Sequence, residues 1–110
     1  MPAHLIAEEG PHRGSLLDLE IGTEWTIGRD PDASDFVIEE STVSRKHAKL
    51  TKTDDGIYLK NLSKVSPTLV NDEELAGQVR LNEGDRIQIG GTVFLYSEKA
   101  LPKEEKKKAG

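Results

Sequence analysis

A chain of 110 residues has the length of one domain, since single hydrophobic cores usually serve ~100–150 residues, and it leaves no room for a second catalytic lobe. Its formal net charge of −5 excludes general affinity for nucleic acid or anionic membrane, which need clustered excess Lys and Arg, so any anion would have to be held by positive charge that is local. With no cysteine there are no disulfides or thiolate metal sites, and no apolar run approaches the ~20 residues of a spanning helix. The opening Met1-Pro2-Ala3-His4 lacks the charged-then-apolar pattern of a secretory signal, so the cytoplasm is the expected compartment.

From residue 3 to 97 the chain is a succession of short β-branched or alternating runs separated by Gly, Pro, Asn and Asp clusters, with no helical periodicity. In order the runs are Leu5-Ile6-Ala7, Ser15 to Ile21, Trp25-Thr26-Ile27, Phe36-Val37-Ile38, His47 to Thr53, Ile57 to Lys60, Thr68-Leu69-Val70, Gln78 to Leu81, Arg86 to Ile89 and Thr92 to Tyr96. So many candidate strands in so short a chain predict an all-β antiparallel β-sandwich of two sheets with about ten to eleven strands. Period-2 alternation in Ala48-Lys49-Leu50-Thr51-Lys52 and Ile57-Tyr58-Leu59-Lys60 puts one face in the core and the other in water. Asp54-Asp55-Gly56 joins these two runs as a hairpin, and the turns at Asn82-Glu83-Gly84-Asp85 and Gly90-Gly91 predict a second meander over residues 78 to 97. Trp25, Phe36, Tyr58, Phe94 and Tyr96, spread over separate strands, belong to the core or sheet faces and make no base-stacking platform. The domain is expected over 1–99. Residues 100–110, charged and without a core-forming pattern, read as a disordered tail or linker.

Three polar segments carry chemistry. Gly28-Arg29 places a guanidinium, a planar fork of donors suited to two phosphate oxygens, where a strand runs into a loop. Ser44-Arg45-Lys46-His47-Ala48 supplies a hydroxyl and two cations just before a strand, and Asn61 to Asn71 forms a polar loop between strands. Together they could form one basic pocket on an acidic protein. The stretch Asp30-Pro31-Asp32-Ala33-Ser34-Asp35 has three carboxylates but lacks the central Gly and distant Glu of a helical calcium loop, so a turn-rich solvated loop is expected there and no metal. His4, His12 and His47 lie in unrelated settings, no Ser sits in a nucleophile elbow, and no Gly-rich loop precedes a Lys and hydroxyl residue; the sequence offers no enzyme.

Gly-Arg, then Ser-Arg-x-His-Ala, then Leu…Thr-x-Val-Asn resembles the forkhead-associated domain family over essentially residues 3 to 97. That resemblance implies a β-sandwich that recognises phosphothreonine peptides through loops at one end. It implies that Arg29, Ser44 and Arg45 bind the phosphate, that Lys64, Val65, Ser66 and Thr68 meet the peptide, and that Gly28, His47 and Asn71 support the site. It further implies a non-catalytic adaptor in Ser/Thr kinase signalling, expected as a monomer, without cofactor, whose ligand is a phosphothreonine-containing protein. The third loop departs from the family pattern. Ser66-Pro67 stands where Asn-Gly is usual, Val65 where many members carry a polar residue, and Lys64 where Ser is usual. Serine cannot bridge with both a carbonyl and an amide as asparagine can. This departure motivates the alternative of a phospho-independent assembly module on the same sandwich. Ion pairing of Arg29 with Asp30 or Asp35 would favour that alternative.

Overall fold

The computed structural model describes residues 3–99, so the expected tail at 100–110 lies outside the described residues. Eleven strands run in chain order: β1 (His4–Glu9), β2 (Leu16–Asp18), β3 (Glu24–Gly28), β4 (Phe36–Val37), β5 (Ala48–Thr53), β6 (Gly56–Asn61), β7 (Thr68–Val70), β8 (Glu73–Glu74), β9 (Gln78–Arg80), β10 (Arg86–Ile89) and β11 (Thr92–Ser97). One sheet has the order β2-β1-β11-β10-β7-β8 and the other β4-β3-β5-β6-β9. Alternation builds the layer between them. Leu50 and Leu59 are register partners in the β5–β6 hairpin and are fully buried, as are Ile87 and Phe94 across β10–β11. The Phe94 ring meets Phe36 edge-on at 5.0 Å between centroids, which ties the β4 edge to the centre of the opposite sheet.

All ten expected runs contain a strand, with three differences. The sandwich is mixed, because β4 lies parallel to β3 with Ile27 opposite Phe36. The loop between them turns back through Ala33 N–H to Asp30 O, and Asp35 N–H then bonds Thr26 O, which brings Phe36 alongside β3 in the same direction. Second, residues 78 to 97 do not form a single meander. β9 pairs with β6, while β10 and β11 belong to the other sheet. Leu81, fully buried, donates its N–H to Ile57 O and so holds β9 to β6, and the turn over residues 82–85 carries the chain from one sheet to the other. Third, β8 has no apolar signal at all. It forms because Asn71 and Asp72 both take positive φ (52° and 72°), the requirement of a type I′ turn, which folds Glu73 back onto Val70.

At one end of the sandwich the segments 28–35, 38–47 and 61–67 come together. No helix of the described residues is long and apolar enough to cross a membrane.

Candidate functional site

Close backbone approach sets the geometry of the loop end. Gly28 closes β3, and a Cβ there would collide with the Arg45 carbonyl oxygen and lie 2.7 Å from its carbonyl carbon. Only glycine lets the two segments pass. Arg29 N–H then donates to Ser44 O at 2.9 Å, and His47 N–H to Ile27 O at 2.8 Å, so the β3–β5 ladder continues into the loops.

Arg29 is fixed by its own side chain, whose Nε–H donates to Val43 O at 2.9 Å. That bond uses one of five guanidinium donors, and the fork of terminal nitrogens has no partner among the described residues. The neighbouring acids do not neutralise it. Asp30 accepts Asp32 N–H, Asp35 accepts Thr26 N–H, and the ion pairs among the described residues are Lys49–Glu24 and Arg86–Glu8. Glu40 is likewise held away, accepting from Gly91 N–H at 2.8 Å. Arg45 is exposed, and neither its side chain nor its N–H has a partner among the described residues.

His47 is fully buried and joins two loops. Its Nδ1 accepts Ser44 N–H at 3.1 Å, which assigns the proton to Nε2, and Nε2–H donates to Pro67 O at 3.3 Å. Burial pushes its pKa below the ordinary imidazole range, opposed in part by the bond to Pro67. Its carbonyl accepts both Leu62 N–H and Ser63 N–H.

The hydroxyl of Ser44 lies 2.7 Å from that of Ser63. Ser63 Oγ already accepts the N–H groups of Val65 and Ser66, at 3.3 and 3.1 Å, which engages both lone pairs. It is therefore the donor to Ser44, and the Ser44 proton is left to point elsewhere. The sequence singled out neither Ser63 nor Asn61. Asn61 braces the same loop, accepting from Thr68 Oγ1 at 2.9 Å and donating to Ser63 O at 3.1 Å. Serines and asparagines in a turn-rich loop carry no signal of which partner they will find.

The other expected residues divide. Lys64 and Val65 are exposed, Val65 at 83%, and Ser66 is half-buried beside them. Thr68 is fully buried, and its hydroxyl is engaged by Asn61, so a direct peptide contact from its side chain is not what the structure offers. Asn71 lies beyond the far end of β7, three residues or roughly 10 Å from the loop. There its amide donates to Asp85 and its carbonyl oxygen accepts Arg86 N–H. What the loop end brings together is donor-rich: a free guanidinium fork, a hydroxyl proton and a second arginine. Such a set can hold a dianionic tetrahedral oxyanion.

A two-sheet sandwich with these donors on loops at one end defines a class of oxyanion-binding β-sandwich. The model of the FHA domain family matches residues 25–90, and the chain belongs to that family. It is 39% identical over 101 residues to an oxoglutarate dehydrogenase inhibitor of Corynebacterium jeikeium, covering 88% of this chain and 67% of that one. To the glycogen accumulation regulator GarA of Mycobacterium tuberculosis it is 37% identical over 90 residues, covering 80% of this chain and 52% of the relative. The chain thus spans between about half and two thirds of these relatives. Mycobacterium tuberculosis EmbR, solved in complex with a low affinity phosphopeptide, superposes with a TM-score of 0.81 at 28% identity over 91% of this chain and 25% of EmbR.

Proposed function

We propose that this FHA domain binds a phosphothreonine of a partner protein and acts as a non-catalytic recognition module downstream of a Ser/Thr kinase. The observation that carries this is the state of Arg29: oriented by Val43 O, followed in sequence by Asp30, Asp32 and Asp35, and paired with none of them. Beside it Ser44 has a hydroxyl proton that Ser63 does not accept. Arg29 and Ser44 take the phosphate oxygens, Arg45 adds charge at the rim, and Lys64, Val65 and Ser66 border the peptide on the other side. Gly28 and His47 hold the first two segments in place, and Asn71 braces the turn after β7. No cofactor enters this reading. The relatives named as an enzyme inhibitor and a metabolic regulator suggest that the partner is itself a regulated protein, such as an enzyme.

The test compares the parent and Arg29→Ala against one phosphothreonine peptide and its unphosphorylated counterpart. Losing two charge-assisted hydrogen bonds, worth about 1.5–3 kcal/mol each, should weaken the phosphopeptide at least about 100-fold. Equal binding by the two proteins, or equal binding of the two peptides, would overturn it in favour of phosphate-independent assembly.

A further inference from the structure

The side of the sandwich between β8 and β9 has features that the loop end does not use. β8 is the last strand of one sheet and β9 the last of the other, so two free edges face each other across the gap between the sheets. Val70, Leu75 and Val79 reach into that gap. Each is only partly buried, packed on the core on one side and lining an open groove on the other. Glu73, Glu74 and Asp85 rim the same groove, with Arg80 as its cation.

The β9 edge is not merely short; its free groups are defined. Leu81 N–H bonds Ile57 O and Asn61 N–H bonds Gly77 O, and Leu59 pairs with Val79 between them. In an antiparallel ladder hydrogen-bonded and non-bonded pairs alternate, so the main-chain N–H and C=O of Gln78 and Arg80 point away from β6. An extended segment laid beside β9 would satisfy those groups. Every second side chain would point into the gap, where apolar ones cover Val79 and Leu75 and long cationic ones reach across to Glu73 and Glu74 on β8, while the intervening ones would face water on the outer side with Gln78 and Arg80. Neither glutamate has an ion-pair partner among the described residues, unlike Glu8 and Glu24 elsewhere on the surface. The groove is also continuous with the loop end. Glu74 and Leu75 line a second depression, whose other wall is Ser63, Lys64, Val65, Ser66 and Pro67 of the third loop.

We propose that the β8–β9 groove is a second docking surface, which takes an extended segment of the phosphothreonine-bearing partner whose gap-facing positions, every second residue, carry both apolar side chains and Lys or Arg. The segment adds to the β9 edge, its apolar side chains cover Val70, Leu75 and Val79, and its cations face Glu73 and Glu74. The acidic rim rejects a segment carrying carboxylates. The partner's phosphothreonine seats at the Arg29 end, so this inference rests on that reading, while the contacts themselves do not involve Arg29.

The experiment uses the full chain, one short phosphothreonine peptide, and the same peptide lengthened on either flank by a Val-Val-Lys-Lys repeat or by a Val-Val-Glu-Glu repeat, each of which shows both residue types to the gap in any register. Binding is measured to the parent and to the exposed double variant Glu73→Lys/Glu74→Lys. On one flank the Lys-bearing peptide should bind the parent roughly fivefold more tightly than the Glu-bearing peptide, a gain that shrinks with added salt. In the double variant the preference should vanish or reverse while the short peptide binds as before. Equal affinities of the two lengthened peptides for the parent on both flanks, or a Lys preference that persists in the double variant, would overturn the proposal. If the short peptide binds without regard to its phosphate, the reading of the Arg29 end fails. The groove is then judged on the unphosphorylated Lys and Glu peptides with the same two proteins.

Discussion

The two halves of the loop end are built by different means. Around Gly28, Arg29 and the segment 44–47 the main chains interlock, and the side chains that remain are cations and a hydroxyl. The third loop, residues 61–67, makes few ladder bonds and is held by side chains: Asn61, the Ser63 hydroxyl, and His47 reaching across from the other half. On the function proposed above, the difference makes gripping a phosphate and gripping the peptide beside it separable. The first depends on backbone approach that one residue type permits. The second is presented by Lys64, Val65 and Ser66, of which Val65 and Ser66 enter the bracing network through their main-chain N–H groups.

The most severe way to break this contrast is Gly28→Ala. The added methyl meets the Arg45 backbone, which is in the ladder and cannot swing aside as a side-chain tip could. We expect a loss of about 3 kcal/mol or more and a fall of roughly 10–20 °C in the thermal midpoint. A melting curve like that of the parent would show that the two segments do not approach so closely.

His47 joins the halves, so its removal should damage both. His47→Ala leaves Ser44 N–H and Pro67 O without partners and should cost about 2–3 kcal/mol in urea unfolding. The residue also makes a pH signature. Its folded pKa lies below the ordinary imidazole value of 6.5, so as pH drops beneath 6.5 the unfolded chain takes up a proton that the folded one refuses. Stability contributed by neutral His47 is therefore complete above that value and declines as pH falls toward the lower folded value. His47→Gln should remove this part of the decline. Denaturant midpoints of both proteins between pH 7.5 and ~5 would reveal an unchanged slope if another group were responsible.

Ser63 sharpens the contrast, because it belongs to the third loop and acts on the first. Ser63→Ala frees two backbone donors and removes the bond that orients the Ser44 hydroxyl. We expect stability to fall by about 1 kcal/mol and phosphopeptide affinity by roughly fivefold, with Ser63→Thr retaining both. An affinity unchanged in Ser63→Ala would show that Ser44 needs no orienting partner.

What the sequence made legible follows the same division. The strands announced themselves through alternation, as in Leu50 and Leu59, because a half-buried sheet must repeat every second residue. Arg29 and Ser44 were legible as types, since few residues present charge-assisted or hydroxyl donors to an oxyanion. The freedom of Arg29 was not legible, because three nearby aspartates could equally have paired with it; only the turn geometry shows Asp30 and Asp35 capping backbone N–H groups instead. Thr68 was misplaced for a related reason. Its position in the motif says nothing of which way a strand's first side chain points, and the pleat directs it inward to Asn61. Strand β8 was invisible because a turn, Asn71-Asp72, and not its own two glutamates, decides that it forms.

The smallest effect belongs to the position where the third loop departs most from its family. Ser66 N–H is held by Ser63 Oγ, its hydroxyl has no hydrogen-bond partner among the described residues, and the residue is half-buried beside the exposed Val65. Ser66→Asn adds an amide with both a donor and an acceptor at the same place, at little conformational expense, because Pro67 keeps residue 66 extended in either case. Phosphopeptide affinity should rise two- to fivefold, about 0.5–1 kcal/mol, with the thermal midpoint nearly unchanged. The gain should vanish in an Arg29→Ala background if the two halves act on one ligand. If it persists undiminished there, the third loop is binding something that does not carry the phosphate, and the separation between the halves runs deeper than a shared site allows.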